Sequence, residues 1–288
     1  MQLCLECGER FTAPDWRCPA CGSAPRTNGT VLFAPELAAS GVGFEQSAFD
    51  HLPELEEHSF WFQARNALLI WAARAYFPDA RSLLEVGCGS GFVLSGMRVA
   101  FPEMRLVGSE LSVRGLEIAR RRLPDAELLQ MDARQIPFDS EFDLVGAFDV
   151  IEHVDEDVLV LQQMVQAAKP GGGILVTVPQ HPRLWSPADE FSHHRRRYVR
   201  GELTSKLGSV GVRLLRTTSF VSLLLPAVAA SRALERRRSR FDPVAEFRRS
   251  GRMGAAFAAA MTAERTLIRA GVSFPAGGSL LAVGRRET

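Results

Sequence analysis

In Leu83-Leu84-Glu85-Val86-Gly87-Cys88-Gly89-Ser90-Gly91 a short apolar run ends in a G-x-G-x-G turn, and a helical pattern starts at its last glycine. Glycines at such a strand-to-helix junction permit positive φ and let a ligand come close to the backbone. The loop alone is ambiguous. Nucleotide dehydrogenases use a similar one, spaced G-x-G-x-x-G, that sets a pyrophosphate against the helix N-terminus. Glu85 separates the two readings, because a carboxylate two residues ahead of the first glycine repels a pyrophosphate and attracts a cation.

On both sides of this junction short apolar strands alternate with amphipathic helices. Strands are expected near 82–86, 104–109, 126–130, 142–148 and 173–179, and helices near 91–100, 112–122 and 156–168. That order predicts an α/β fold, a parallel sheet with helices on both faces. Upstream, Leu55, Phe60, Trp61, Ala64, Leu68, Leu69, Trp71 and Ala72 recur at helical spacing until Pro78 ends the run. Downstream come a loop at 180–199, a short helix from Gly201, a strand near 212–219, helical character over 221–271 and a last strand from Leu280 to Gly284. The stretch from Thr27 to Pro53, with glycines at 29, 41 and 43 and prolines at 35 and 53, reads as a connector with little structure of its own. The expected units are therefore residues 1–26, a connector at 27–53, and a main domain at 54–288 with a helical insertion at 221–275.

The 288 residues include 34 Lys and Arg against 33 Asp and Glu, a net charge of +1, and 46% are hydrophobic. Disordered, collagen-like and coiled-coil classes are excluded, and so is a surface built wholly to hold nucleic acid. No stretch approaches the roughly 20 apolar residues of a membrane-spanning helix, and Met1-Gln2-Leu3-Cys4 lacks the pattern of a secretory signal, so a cytoplasmic protein is expected.

Four of the five cysteines fall at 4, 7, 18 and 21. Cys4-x-x-Cys7 and Cys18-x-x-Cys21 resemble the paired knuckles of a small zinc ribbon, each followed by a glycine that permits the tight turn. Four thiolates leave no open coordination position, so the metal is expected to be structural Zn2+, with iron of the rubredoxin type or a redox dithiol as alternatives. A segment this short cannot form a core without its metal.

From Ser82 to Gly201 the chain resembles the class I S-adenosylmethionine-dependent methyltransferases. Their cofactor carries a sulfonium and an ammonium group, which suits Glu85. The resemblance implies a Rossmann-like sheet of seven strands with the last antiparallel. It implies further that Glu85, Gly87, Cys88, Gly89 and Gly91 line the cofactor and that Glu110, with Leu111 beside it, holds the ribose hydroxyls. Asp132 would meet the adenine amino group between Met131 and Ala133, with Phe148, Asp149, Val150 and His153 along the cofactor edge. Lys169-Pro170-Gly171-Gly172-Gly173 matches the family's turn into the fifth strand.

Methyl transfer from a sulfonium needs proximity, alignment and, for a hydroxyl acceptor, a base. His153, His193 and His194 are the candidate bases, and His181, Arg197 and Tyr198 the candidate acceptor contacts. Asp149-x-x-Glu152-His153 resembles the Glu-x-x-Glu-His run of ubiquinone-biosynthesis O-methyltransferases, which can hold a divalent metal there. The fourth-strand segment has no Asn/Asp-Pro-Pro-Tyr/Phe motif and no Pro-Cys pair, which turns the expectation toward small-molecule or lipid acceptors. Arg195, Arg196 and Arg197 beside His193 and His194 suggest an acidic or phosphate-bearing acceptor. Residues 221–279 hold ten Arg and no Lys against four acids, and the apolar opening at Phe220–Pro226 ahead of Arg236, Arg237 and Arg238 suggests contact of 220–240 with an anionic membrane surface. RNA methylation aided by the ribbon, and a cofactor-binding regulator without turnover, are the competing readings.

Overall fold

The computed structural model describes residues 1–39, 49, 52–235 and 252–288. The N-terminal part supplies strands β1 (Gln2–Leu3), β2 (Arg10–Phe11), β3 (Arg26–Thr27) and β4 (Val31–Leu32), then helices α1 (Pro35–Ala39), α2 (Leu52–His58) and α3 (Phe60–Tyr76). The alternating part runs β5 (Ser82–Val86), α4 (Phe92–Ala100), β6 (Arg105–Glu110), α5 (Val113–Arg122), β7 (Glu127–Gln130), β8 (Phe142–Phe148), α6 (Asp157–Ala167) and β9 (Ala168–Pro179). It closes with α7 (Pro187–Phe191), α8 (Arg200–Ser209), β10 (Val212–Phe220), α9 (Leu225–Glu235), α10 (Arg252–Arg269) and β11 (Ser279–Arg286).

Among the described residues the main sheet has nine strands in the order β10-β11-β9-β8-β5-β6-β7-β4-β3. Seven of these, β10 to β7, form the expected methyltransferase sheet. Its last strand, β11, is antiparallel to both β9 and β10. The central strand β5 is buried at every position, as a parallel strand covered on both faces must be. Of the two additional strands, β4 lies in the connector read as having little structure of its own, and β3 straddles its start at Arg26–Thr27. β4 pairs in parallel with β7, Val31 against Leu129 and Leu32 against Gln130, and β3 turns back along it. The expectation failed because two-residue strands carry no periodicity; their partner is set by the exposed edge of β7.

The helix expected to run unbroken from Leu55 is two helices. Ser59 lies in extended conformation between them and its hydroxyl accepts from the Trp61 N–H at 3.3 Å, capping α3. β9 begins earlier than expected, at Ala168, and its register with β8 slips across the glycine run between Ala168 and Gly173. The core lies in two layers, one on each face of the sheet. Leu84, Val107, Val145, Val176 and Leu161 belong to one, and Leu69, Leu83, Leu106, Leu144 and Leu281 to the other.

The ribbon is docked onto this frame. Its β1–β2 hairpin donates Leu3 N–H to the Pro137 carbonyl at 2.9 Å, and Arg10 Nε reaches Asp139 at 2.6 Å. Trp16 packs edge-on against Phe33 and Phe138, at centroid distances of 5.0 and 5.3 Å, inside the larger core. Among the described residues no helix is long and apolar enough to cross a membrane. Of the segment 220–240, Phe220, Val221 and Leu224 are buried in the core. The arginines at 236–238, on which the membrane expectation rests, lie outside the described residues, as does part of the helical insertion.

Candidate functional site

Parallel strands of one sheet end on one side, so the residues just beyond β5, β6, β7 and β8 meet at a common edge. There they line a cavity of about 1080 Å³. Gly87, Gly89 and Gly91 have φ of 69°, 54° and 77°, and a Cβ at Gly87 would lie 2.6 Å from Val150 Cγ2. Only glycine permits both the left-handed turn and that approach.

The acids stand where the sequence puts them. Glu85 is buried, its Oε2 has no hydrogen-bond partner, and burial pushes its pKa up to about 8. Glu110 accepts from the Gly89 N–H and the Ser112 N–H, both at 3.0 Å, and so pins the glycine loop to the end of β6. Burial raises its pKa, opposed by those two bonds. Asp132 is clasped by Arg134 through Nε and Nη2. Cys88, Leu111, Met131, Ala133, Phe148, Asp149, Val150 and His153 also line the cavity. Gly91 has a different role: it caps α4, with Ala119 Cβ 3.1 Å from where its own Cβ would be.

An orphaned, buried carboxylate oxygen beside a glycine turn suits a cationic ligand, and the cavity edge has room for a nucleoside. The residues therefore fit S-adenosylmethionine.

Several residues of the site escaped the sequence reading. Arg65, from α3, is buried, forms an ion pair with Asp149, and lies 4.6 Å over the Trp61 ring. Glu56, from α2, accepts from the Ser90 hydroxyl at 2.6 Å and from Arg122, tying α2 to the glycine loop. Phe49 is almost wholly buried and lies 4.0 Å from where a Cβ on Gly89 would be. An Arg at a helical position otherwise read as apolar was the one available signal.

Beyond Asp149, whose own φ is 58°, a 3-10 turn at Ile151–His153 brings Glu152 and His153 to the cavity. His194 arrives from the loop after α7, its ring 4.7 Å from that of His153. Its Nδ1 is 2.8 Å from Asp189 Oδ1, and Asp189 in turn takes Arg197 Nε at 2.7 Å and Nη2 at 3.0 Å. Burial would raise the Asp189 carboxyl, but His194 and Arg197 hold it at about 2. Burial pushes the His153 imidazole down to about 3, with the neighbouring His194 adding to the shift, and burial drives Glu152 well above the carboxylate range.

The remaining candidates are placed otherwise. His193 is exposed and does not line the cavity. Tyr198 is fully buried in the core with its hydroxyl donating to Asp157 at 2.6 Å, and His181 lies behind it, its N–H bonded to the Tyr198 carbonyl. Neither lines the cavity. Arg197 does, but Asp189 engages its guanidinium. Arg196 meets Asp157 and Arg195 faces Asp155, so each guanidinium of the run is directed at a carboxylate of the protein itself. Of the three, Arg197 alone lines the cavity. Away from the acids the cavity wall is apolar, with Phe60, Trp61, Phe62, Leu224, Val228 and Phe257.

At the ribbon the four cysteines are free thiols that form one cluster. Cys4 Sγ lies 3.6 Å from Cys21 Sγ, and Cys7 Sγ 3.6 Å from Cys18 Sγ. Those are close to the ~3.8 Å edge of a tetrahedron of 2.3 Å zinc–sulfur bonds. Gly8 and Gly22, both at φ 76°, close the two knuckles. The donor set fits structural zinc.

The methyltransferase domain family matches residues 84–176. A protein of Mycolicibacterium smegmatis named a probable S-adenosylmethionine-dependent methyltransferase is 27% identical over 165 residues, 56% of this chain and 62% of that protein. The trans-aconitate 2-methyltransferase of an Azoarcus species is 28% identical over 135 residues, 47% of this chain and 51% of its own length. The matches thus span between half and two thirds of these relatives. In fold, the Haemonchus contortus phosphoethanolamine N-methyltransferase 2, solved with S-adenosyl-L-methionine, superposes with a TM-score of 0.57 at 17% identity, covering 92% of this chain and 62% of that one. The acid row at the strand ends and the strand order described above agree with these similarities: residues 84–176 match the methyltransferase domain family, and the sheet built around them has the fold of its solved relatives.

Proposed function

We propose that this protein is an S-adenosylmethionine-dependent methyltransferase whose acceptor is a small or lipid-like molecule with an apolar body, methylated on oxygen. The observation that carries the reading is Glu85, buried with an unpartnered oxygen at the glycine turn, in line with Glu110 and Asp132 at the next two strand ends. S-adenosylmethionine supplies an activated methyl group when bound. Glu85 would receive its positively charged amino-acid end and Glu110 the ribose hydroxyls. Asp132, between Met131 and Ala133, would meet the adenine.

The apolar wall around Phe60, Trp61, Leu224 and Phe257 suits the body of the acceptor and excludes water. Glu152, His153 and His194 form the polar end of that space. There the acceptor's nucleophilic atom would be aligned with the methyl group and lose its proton. Arg197 at the cavity wall keeps an acidic group on the acceptor within the proposal, and the basic segment at 220–240 does the same for membrane-borne acceptors.

The test is incubation of the full chain with isotope-labelled S-adenosylmethionine and an extract of native metabolites, lipids and RNA, each fraction read by mass spectrometry. Labelled products that partition into organic solvent are expected, with S-adenosylhomocysteine released from the donor in equal amount. Label found only in RNA would replace this reading with the RNA enzyme. Calorimetric binding of the cofactor with no labelled product from any fraction would replace it with a non-catalytic regulator.

A further inference from the structure

We propose that Glu152, His153 and His194 form a binding site for a divalent transition-metal ion, separate from the zinc of the ribbon. Their donor atoms lie within 4.8 Å of one another at the cavity wall, with His194 Nε2 4.0 Å from Glu152 Oε1. Glu152 is wholly buried, and neither of its carboxylate oxygens has a hydrogen-bond partner; nor does the buried Nδ1 of His153. These unpartnered polar atoms, all buried, sit on two adjacent residues, and a bound ion is a recognised cause of such apparent vacancies in hydrogen bonding.

The surroundings are built for a cation. Asp189 holds His194 through Nδ1, which leaves Nε2 with its lone pair turned toward Glu152, and Arg197 fixes Asp189 by two bonds. A carboxylate behind a histidine is the arrangement that orients imidazole ligands on metals and raises their basicity. The neighbouring charges cancel: Arg65 pairs with Asp149, and Arg197 with Asp189. Glu152 is then the carboxylate left to face an ion.

The donor set differs from Asp149, Glu152 and His153, the set suggested by the sequence run. Asp149 Oδ2 already accepts from Arg65 and from the Thr177 hydroxyl at 3.2 Å, and His194, 42 positions after Glu152 and linked to it by no local pattern, takes its place. Two imidazoles and one carboxylate suit Mn2+, Fe2+ or Zn2+ better than Mg2+ or Ca2+, and three protein ligands leave positions open. Resting on the proposed function, an acceptor oxygen would occupy one of those positions, where coordination lowers its proton affinity.

The test is metal stoichiometry on the full chain with its ribbon loaded with zinc. After dialysis, Mn2+ is titrated in and bound ion is read by electron paramagnetic resonance, with total zinc read by mass spectrometry. One zinc and one further ion per chain are expected. Glu152→Gln and His194→Ala should abolish the second ion while zinc stays at one, and Asp189→Asn should weaken it ~10–100-fold, as loss of such a supporting carboxylate does. A thermal shift with S-adenosylhomocysteine equal to wild type shows that each variant is folded. Two results overturn the proposal: no Mn2+ or Zn2+ bound beyond the ribbon's one, or a second ion that persists in both Glu152→Gln and His194→Ala. No acceptor or turnover enters this readout. A chain that binds the second ion and transfers no methyl group therefore refutes the proposed function and leaves the metal site standing.

Discussion

Glu85 is the residue on which the chemistry of the cofactor edge turns, and its protonation makes that testable. With a pKa of about 8 in the ligand-free protein, the carboxyl is neutral at lower pH, whereas a cationic ligand binds its charged form. Cofactor affinity should therefore rise with pH up to about 8 and level off above it, with a proton released on binding. Calorimetry in two buffers of different ionisation enthalpy measures this, and Glu85→Gln should lower affinity at least ~10-fold and flatten the profile. The sign for stability is opposite. A carboxyl raised from 4.5 contributes stability that is complete at low pH and lost as pH climbs through 8, so the melting temperature of the free protein should fall from about pH 5 to 8.5, less steeply in the Gln variant. Arg65 gives a second test. Replacing it with alanine leaves the half-buried Asp149 with the Thr177 hydroxyl but without its ion-pair partner, a change expected to cost ~1.5–3 kcal/mol in urea unfolding. Glu85 was legible because its spacing from Gly87 is local. Arg65 was not, since its partner lies 84 residues away.

At the scale of elements, β4 and β3 act as an added edge of the sheet, and the ribbon's own two-stranded sheet docks beside them. Gln130, at the end of β7, shows how closely they are joined to the cofactor side. Its side chain donates to the Ala34 carbonyl at 2.9 Å and accepts from the Ala34 N–H at 3.0 Å, one residue before Met131. The knuckle cysteines were readable from spacing alone, because metal geometry demands it. The docking of the ribbon was not, because Trp16 finds Phe33 and Phe138 only once the sheet exists. Trp16→Ala should destabilise the whole domain by ~3–5 kcal/mol, measured by chemical denaturation. Chelation of the ribbon's metal should release one zinc per chain and shift Trp16 fluorescence to longer wavelength as the indole meets water. If the emission stays unchanged after complete chelation, the ribbon holds its place without metal.

For the whole molecule, ligand binding couples to global stability. S-adenosylhomocysteine at 100 times its dissociation constant should stabilise the protein by about 2.7 kcal/mol, while NADH should leave the melting temperature unchanged. Scanning fluorimetry with both ligands decides it. The succession of strands and helices from β5 to β9, the glycine turn and the acid at each strand end were determined by the sequence alone, because each depends on neighbours within a few residues. Residues far apart in the chain met only in the folded structure. Asp189 turned His194 toward Glu152 and tied Arg197 back into the protein, α3 brought Arg65 over Asp149, and β4 found the edge of β7. No local pattern encodes such meetings. They arise when burial removes water and each charge or hydrogen-bonding group must find a partner wherever the fold has set one.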